Sequence, residues 1–280
     1  MDHIVPRSFL HLLAAAALIS FAPATSQAQD ASPWVTEGHA SVRLLAGSRN
    51  GGVLLGGIGF KLDPGWKTYW RTPGDSGVPP RFDFSKSDNV EAVNVLWPAP
   101  KKFPDGSGGF SLGYREQVVV PLRIVVKNPD KPMTLRAHVS YAICEKLCVP
   151  MEADLELPFV SVASTEDSAL AAALDTVPKP ANIGDPTPLT IRDVKRSGAK
   201  TVHVDVTAPD AKDVGLFVEG PTPDWALPVP KLLKHEPHNV QRFAFDLDGV
   251  PAGTDPAGAA LKFTLVGGNG RAYEFNVNLD

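Results

Sequence analysis

Apolar and polar residues alternate with a period of two along most of the chain. The alternation runs through "GHASVRLLAG" (38–47), "GGVLLGGIGFKL" (51–62), "GWKTYWRT" (65–72), "PRFDF" (80–84) and "VEAVNVLW" (90–97). It continues through "EQVVVPLRIVVK" (116–127), "MTLRAHVSYAIC" (133–144) and "CVPMEADLELPF" (148–159). Side chains on a strand point to opposite faces in turn, so this period marks half-buried strands. Gly, Pro, Asn and Asp clusters such as "SRNGG" punctuate the runs as turns. Many short strands at regular spacing predict an all-β chain built as a sandwich or barrel. Pro121 lies within one strand pattern and predicts an edge or a bulge there.

The pattern changes once. "STEDSALAAALDTV" (164–177) predicts a helix, with Ser164 or Thr165 as N-cap and acids in the first turn. "PKPANIGDPTP" (178–188) holds four prolines and reads as a linker. A second β set follows, from "LTIRDVKR" and "TVHVDVTA" to "ALKFTLVGG" and "RAYEFNVNL". The expected organisation is therefore 1–28, 29–163, a helix and linker over 164–188, and a second small β-sandwich over 189–280. The second set has no cysteine, and its "KLLKHEPHNV" reads as a solvated loop in which His235 and His238 are weak candidates for a metal.

At the N-terminus, Arg7 precedes an apolar run at residues 9–22, followed by "PATSQAQD". A charged start, a short apolar core and small residues before a cut describe a secretory signal. Ser26 and Ala28 suit the cleavage site, so residues 1–28 are expected to be removed and Gln29 to become the first residue. The run is short for a membrane span, which needs roughly 20 apolar residues. The expected location is the periplasm. The net charge of −4 argues against a nucleic-acid partner, which would call for a basic patch.

Chemistry concentrates at the only two cysteines, Cys144 and Cys148. In an exported chain, two cysteines can pair in only one way. A continuous strand would hold them roughly 13 Å apart, beyond the roughly 7 Å that a disulfide spans. A hairpin with Glu145, Lys146 and Leu147 at its tip removes that obstacle. Closing a ring of about five residues contributes roughly 2 kcal/mol, which is little for a structural staple and favours a reactive pair. Lys146 would favour a thiolate and Glu145 would oppose it. Two other readings stay open. One is an inert disulfide. The other is a Cu(I) site of Cys144, Cys148 and Met151, since thiolates and thioethers suit that ion. His138 is excluded from such a site, because six residues of strand put it roughly 20 Å away. No cofactor is expected. Tyr69 and Tyr114 pack either near the pair or in the core, and Asp75 in "PGDSG" is expected to cap a turn.

Four blocks in order carry a resemblance: "GWKTYWRTPGDSG" (65–77), "VLWPAPKKF" (95–103), "GYREQVVVPLRI" (113–124) and "SYAICEKLCVPMEADLELPF" (140–159). Together they resemble the N-terminal periplasmic domain of the DsbD thiol:disulfide interchange proteins, closest to the suppressor-of-copper-sensitivity type, ScsB. The resemblance implies an immunoglobulin-like fold for residues 29–163. It implies that Cys144 and Cys148 shuttle between disulfide and dithiol, Cys148 exchanging with partners and Cys144 resolving. The implied donor is a thioredoxin-like or membrane-embedded partner. The implied acceptors are periplasmic disulfide-containing proteins, either disulfide isomerases or cytochrome c maturation proteins. "KKFPDGSGGFSLGY" falls on the family's cap loop, where an aromatic shields the pair; Phe110 is the first candidate and Phe103 the second. The spacing of the cysteines is shorter than in the best-known members, and the electron source is expected to be another protein.

Overall fold

A computed structural model describes Met1 and residues 29–208, 214–236 and 239–280. The expected signal at 1–28 and His238 fall outside these residues, apart from Met1. The first eleven strands are β1 (Val35–Glu37), β2 (Ala40–Ala46), β3 (Val53–Leu62), β4 (Lys67–Gly74), β5 (Arg81–Asp83) and β6 (Val90–Val95), then β7 (Lys101–Pro104), β8 (Phe110–Arg115), β9 (Gln117–Val126), β10 (Met133–Cys144) and β11 (Cys148–Phe159). They form two sheets, ordered β1-β2-β3-β9-β6 and β11-β10-β4-β8-β7, with β5 also paired to β10. Val42, Leu44, Ile58, Phe60, Leu122 and Ile124 from the first sheet meet Leu135, Val139, Tyr141, Met151 and Leu157 from the second. This is an immunoglobulin-like β-sandwich, with the apolar set of each period-two strand turned inward.

Three local expectations change. The helix, α1 (Asp167–Leu174), begins later than its pattern suggests, with Glu166 at the N-cap position and no side-chain cap. Of the hydroxyls offered as caps, Thr165 Oγ1 donates to Asp30 Oδ2, and Ser164 Oγ donates to Ala46 O while accepting from Glu166 N just ahead of the helix. Leu170 of α1 is fully buried against β3, where a β-carbon on Gly57 would stand 2.8 Å from its Cδ2. Glycine is required there for close approach, not for φ. Pro121 lies in β9, an interior strand, yet it stands where the pairing with β6 has ended and Leu96 N donates to its carbonyl. The missing N–H therefore removes no ladder bond.

The remaining strands are β12 (Lys179–Ala181), β13 (Thr190–Ser197), β14 (Thr201–Thr207), β15 (Gly215–Glu219), β16 (Lys231–Glu236), β17 (Val240–Asp246), β18 (Ala260–Val266) and β19 (Ala272–Asn278). Two four-stranded sheets, β12-β19-β18-β15 and β13-β14-β17-β16, enclose Val204, Phe243, Phe245, Phe263 and Phe275. Part of the stretch read as a linker is thus strand: β12 pairs in parallel with β19. Pro180 is tolerated because β12 is an edge. The segment around His235, read as a loop, is β16.

The second sandwich docks against the first. Trp70, Leu112 and Tyr114 bury themselves with Phe217 and Val229. Beside them the Arg71 guanidinium reaches Glu219 at 2.6 Å and Glu274 at 2.5 Å. Asp75 does more than cap a turn. One carboxylate oxygen accepts from Phe110 N at 2.8 Å and the other from Val229 N at 3.1 Å.

Candidate redox site

The pair sits at the end of the β10–β11 hairpin. Cys144 is the last residue of β10 and Cys148 the first of β11, and the two stand directly opposite each other in the register. Glu145, Lys146 and Leu147 form the tip, where Glu145 N donates to Leu147 O. Strand ends facing across a short turn bring the Cα atoms to 4.2 Å, and the sulfurs are joined as a disulfide. The two sulfurs differ in access. Cys144 is buried at 4% exposure, whereas Cys148 is exposed and stands beside Leu147, itself 79% exposed.

Tyr69 completes the site. Its hydroxyl lies 2.8 Å from Cys144 Sγ and 3.1 Å from Cys148 Sγ. Strand β4 pairs with β10 (Ile143 with Thr68, Cys144 with Lys67), and Thr68 Oγ1 donates to Ala142 O. That register puts Tyr69 on the outward face with Ala142 and Cys144, and the three form a small buried cluster. Gly77 covers the phenol ring. Its φ of +131° suits glycine, and any β-carbon there would collide with the ring. Burial pushes the Tyr69 phenol above its ordinary range, so the hydroxyl keeps its proton and remains a donor to sulfur at neutral pH.

The other predicted residues part company. Tyr114 faces inward, donates to Pro98 O at 2.8 Å and packs with Trp70 rather than with the sulfurs. Burial holds its phenol well above the ordinary range. Phe110 also packs inward, in the cluster of Trp70, Leu112 and Phe217, with the Lys102 ammonium 4.5 Å from its ring centre. This corrects the expectation that Phe110 leads the shielding of the pair: parity along β8 turns it away from the cysteine face. Phe103 pairs with Ser111 and shares that outward face, buried beneath the Arg115 guanidinium at 4.4 Å. The cap-loop stretch is itself a hairpin of β7 and β8. Its turn is held by Asp105, whose carboxylate accepts from Ser107 N and Gly109 N.

The Cu(I) reading loses a ligand. Met151 stands opposite Tyr141 and is buried in the sandwich core, on the other face of the sheet from the sulfurs. Among the described residues, no cluster of three His, Cys, Asp or Glu side chains is placed to hold a metal ion. His138 bonds Asp154 at 2.9 Å, well down the hairpin from the pair.

A sandwich that presents a cysteine pair at one end, one sulfur open and one covered, defines a domain of the disulfide-carrying class. Residues 41–159 match the model of the family described as thiol:disulfide interchange protein DsbD, N-terminal. No curated protein matches the chain. Among solved structures, the N-terminal periplasmic domain of ScsB from Proteus mirabilis superposes with a TM-score of 0.72 at 23% identity, over 89% of this chain and 98% of that one. That likeness covers both sandwiches and speaks for the fold. The yeast GGA1 GAE domain (10% identity, 45% of this chain and 97% of that one) and a conserved domain protein from Bacillus anthracis (9%, 84% and 75%) reach TM-scores of only 0.26 and 0.25 and carry no weight. Among the described residues, no helix is long and apolar enough to cross a membrane.

Proposed function

We propose that the chain is an exported thiol:disulfide interchange protein whose Cys144–Cys148 pair relays two electrons between periplasmic partners. The observation that carries this reading is the asymmetry of the pair: an exposed Cys148, a buried Cys144, and one tyrosine hydroxyl against both sulfurs. The periplasmic setting is supported by the apolar run at 9–22 and by the likeness to the periplasmic domain of ScsB.

A donor thiolate attacks Cys148 Sγ, the accessible sulfur. The Cys144–Cys148 bond breaks, and its electron pair leaves on Cys144 Sγ, where the Tyr69 O–H donates to the new thiolate. A second donor thiolate then attacks the donor's own sulfur in the mixed disulfide. The donor leaves as a disulfide, and Cys148 is released as a thiolate. In the onward step Cys148 attacks an acceptor disulfide and Cys144 resolves the intermediate. Exchange runs through thiolates and mixed disulfides throughout, and a hydrogen bond to the thiolate lowers the thiol pKa. The donor is a thioredoxin-like or membrane-embedded protein. The acceptor is a periplasmic disulfide-containing protein of the isomerase or cytochrome c maturation type. A copper-tolerance role on the same sulfurs is not favoured, because Met151 stands on the far face of the sheet.

Titration against a thioredoxin-like couple tests this directly. The pair is expected to equilibrate at a potential above about −300 mV, the range of exchangeable disulfides. Cys144→Ala is expected to accumulate a mixed disulfide at Cys148 in periplasmic extracts, identifiable by mass. A pair that stays oxidised against every donor ratio identifies an inert disulfide and ends the proposal.

A further inference from the structure

Strand β11 is the outer strand of its sheet, and among the described residues no strand pairs with its free side. Where its backbone groups point follows from its neighbour β10. Thr134 N donates to Asp88 O at 3.3 Å, and Thr134 O accepts from Asp88 N at 2.9 Å. Arg136 N donates to Ser87 Oγ at 2.9 Å, and that hydroxyl donates to Arg136 O at 3.0 Å. Both residues of β10 thus turn their N–H and C=O away from β11. Their partners there, Pro158 and Glu156, stand in non-hydrogen-bonded pairs. Alternation extends this to Asp154, Glu152 and Pro150, opposite His138, Ser140 and Ala142. The N–H and C=O groups of Glu152, Asp154 and Glu156 therefore face the open edge. Pro150 and Pro158 bracket them, each with a carbonyl and no N–H. The side chains of Glu152, Asp154 and Glu156 are exposed and share the face of Cys148, by the period of two.

Resting on the interchange reading above, we infer that this edge is the docking line for exchange partners, which add an extended segment to β11 as a further strand and carry their sulfur at its end beside Cys148. The disulfide bridges β10 to β11. A thiolate in line with it at Cys148 therefore comes from beyond β11, where such a strand would lie. Strand addition draws affinity from main-chain bonds and specificity from alternate side chains. The complete donors and acceptors of residues 152–156 supply the first, starting roughly 13 Å along the strand from Cys148. The prolines at either end confine pairing to that window, as on edges guarded against indiscriminate pairing. The exposed carboxylates decide the occupant. A second copy would set one acidic row against another, and like charges directly opposite are destabilising. A segment with Lys or Arg at alternate positions meets them with complementary charge.

The test uses end-capped peptides in which a cysteine, placed first or last, adjoins about eight residues of alternating Thr and Lys, long enough to span the window. Each reduces the pair of the intact protein under pseudo-first-order conditions, with dithiothreitol as reference and rates expressed per thiolate. Glu152→Pro removes one edge N–H, as Pro150 already does. It is expected to slow the faster Lys peptide about fivefold, the dithiothreitol rate holding. Glu152→Gln keeps the N–H and is expected to slow that peptide less. A proline variant no slower than the glutamine variant would reduce the effect to charge and overturn the inference. The direct readout is amide hydrogen exchange in the mixed disulfide of Cys144→Ala with the Lys peptide, which leaves the edge unaltered and covers the case in which Glu152→Pro misfolds. Exchange at Glu152, Asp154 and Glu156 is expected to slow at least about tenfold on attachment of the peptide. Exchange at Met151, Ala153 and Leu155, whose N–H groups face β10, is expected to hold. Unslowed exchange along the edge would overturn the inference whatever the rates. If dithiothreitol does not reduce the pair at all, the interchange reading itself fails, which is a different result.

Discussion

The two faces of strand β4 carry opposite chemistries within four consecutive residues. Outward, Lys67 and Tyr69 lie beside the cysteine pair, with polar and cationic neighbours. Inward, Thr68 bonds the backbone of β10, and Trp70 is fully buried against Phe217 of the second sandwich. One face exchanges and the other holds. Period-two alternation lets a single strand do both, because neither set of side chains intrudes on the other. It also makes the second sandwich a support for the strand that aims Tyr69. Arg71, next along β4, is clamped by Glu219 and Glu274, and Asp75, beyond the strand, by Val229 N.

The strongest way to break this division is to remove the second sandwich. A chain ending at residue 177 keeps the first core intact but uncovers Trp70 and Leu112, each worth about 2 kcal/mol of burial. It is expected to fold, to keep exchange, and to unfold at a clearly lower urea concentration than the full chain. An unchanged midpoint would show that the inward face needs no cover.

Alkaline pH attacks both faces at once. Burial raises the phenols of Tyr69, Tyr114 and Tyr141, the last to about 12. A raised folded pKa contributes stability in full below the unfolded value near 10, and that contribution is lost as pH rises through the folded value. Stability is thus expected to be level from pH 7 to 9 and to fall beyond 10. Tyr114→Phe should flatten the fall more than Tyr69→Phe, since the inward phenol is shifted further. Denaturation midpoints across this window decide between them.

Arg71→Met separates docking from burial. Its partners are about one-fifth exposed, so the loss is expected near 2 kcal/mol, below that for a fully buried pair. Adding Glu219→Gln and Glu274→Gln should restore much of it, because the cost lies in stranded carboxylates. No recovery in the triple variant would mean that the guanidinium acts through its stacking on Trp70, where its carbon stands 4.5 Å from the ring.

On the outward face, Tyr69→Phe removes the donor common to both sulfurs. A hydrogen bond to a thiolate is worth about 1.5 kcal/mol, so reduction by dithiothreitol is expected to slow about tenfold with the fold unchanged. An equal rate would relegate Tyr69 to packing.

Strands and the hairpin at the pair were legible because alternation and turn residues are local signals. The β7–β8 hairpin was not, since Asp105 to Gly109 is dense in turn formers and resembles a loop throughout. The clamp was out of reach for another reason. Arg71 meets Glu219 and Glu274 across separations of 148 and 203 residues, and no local pattern announces such a contact. Tyr69 lay between. Parity put it on one face with Lys67, but only the pairing of β4 with β10 brought that face to the sulfurs. The same parity rule decides Phe103 from Phe110, once β7 and β8 are known to be strands.

The finest test of the comparison is therefore Phe110→Ala. The residue lies within the glycine-rich stretch that would cap the sulfurs if it were a mobile loop. In the fold it belongs to β8, with its N–H given to Asp75 and its ring half-buried in the inward cluster beneath Lys102. Truncating it removes part of the support without uncovering either sulfur. Stability is expected to fall by about 1 kcal/mol, less than for a fully buried aromatic. The rate at which dithiothreitol reduces the pair is expected to match wild type. Stopped-flow reduction of both proteins under the same conditions measures it. A faster reduction of Phe110→Ala, with Phe103→Ala at the wild-type rate, would mean that the hairpin opens in solution and swings Phe110 across the sheet edge. The division of β4 and β8 into an exchanging face and a holding face would then fail at its rim.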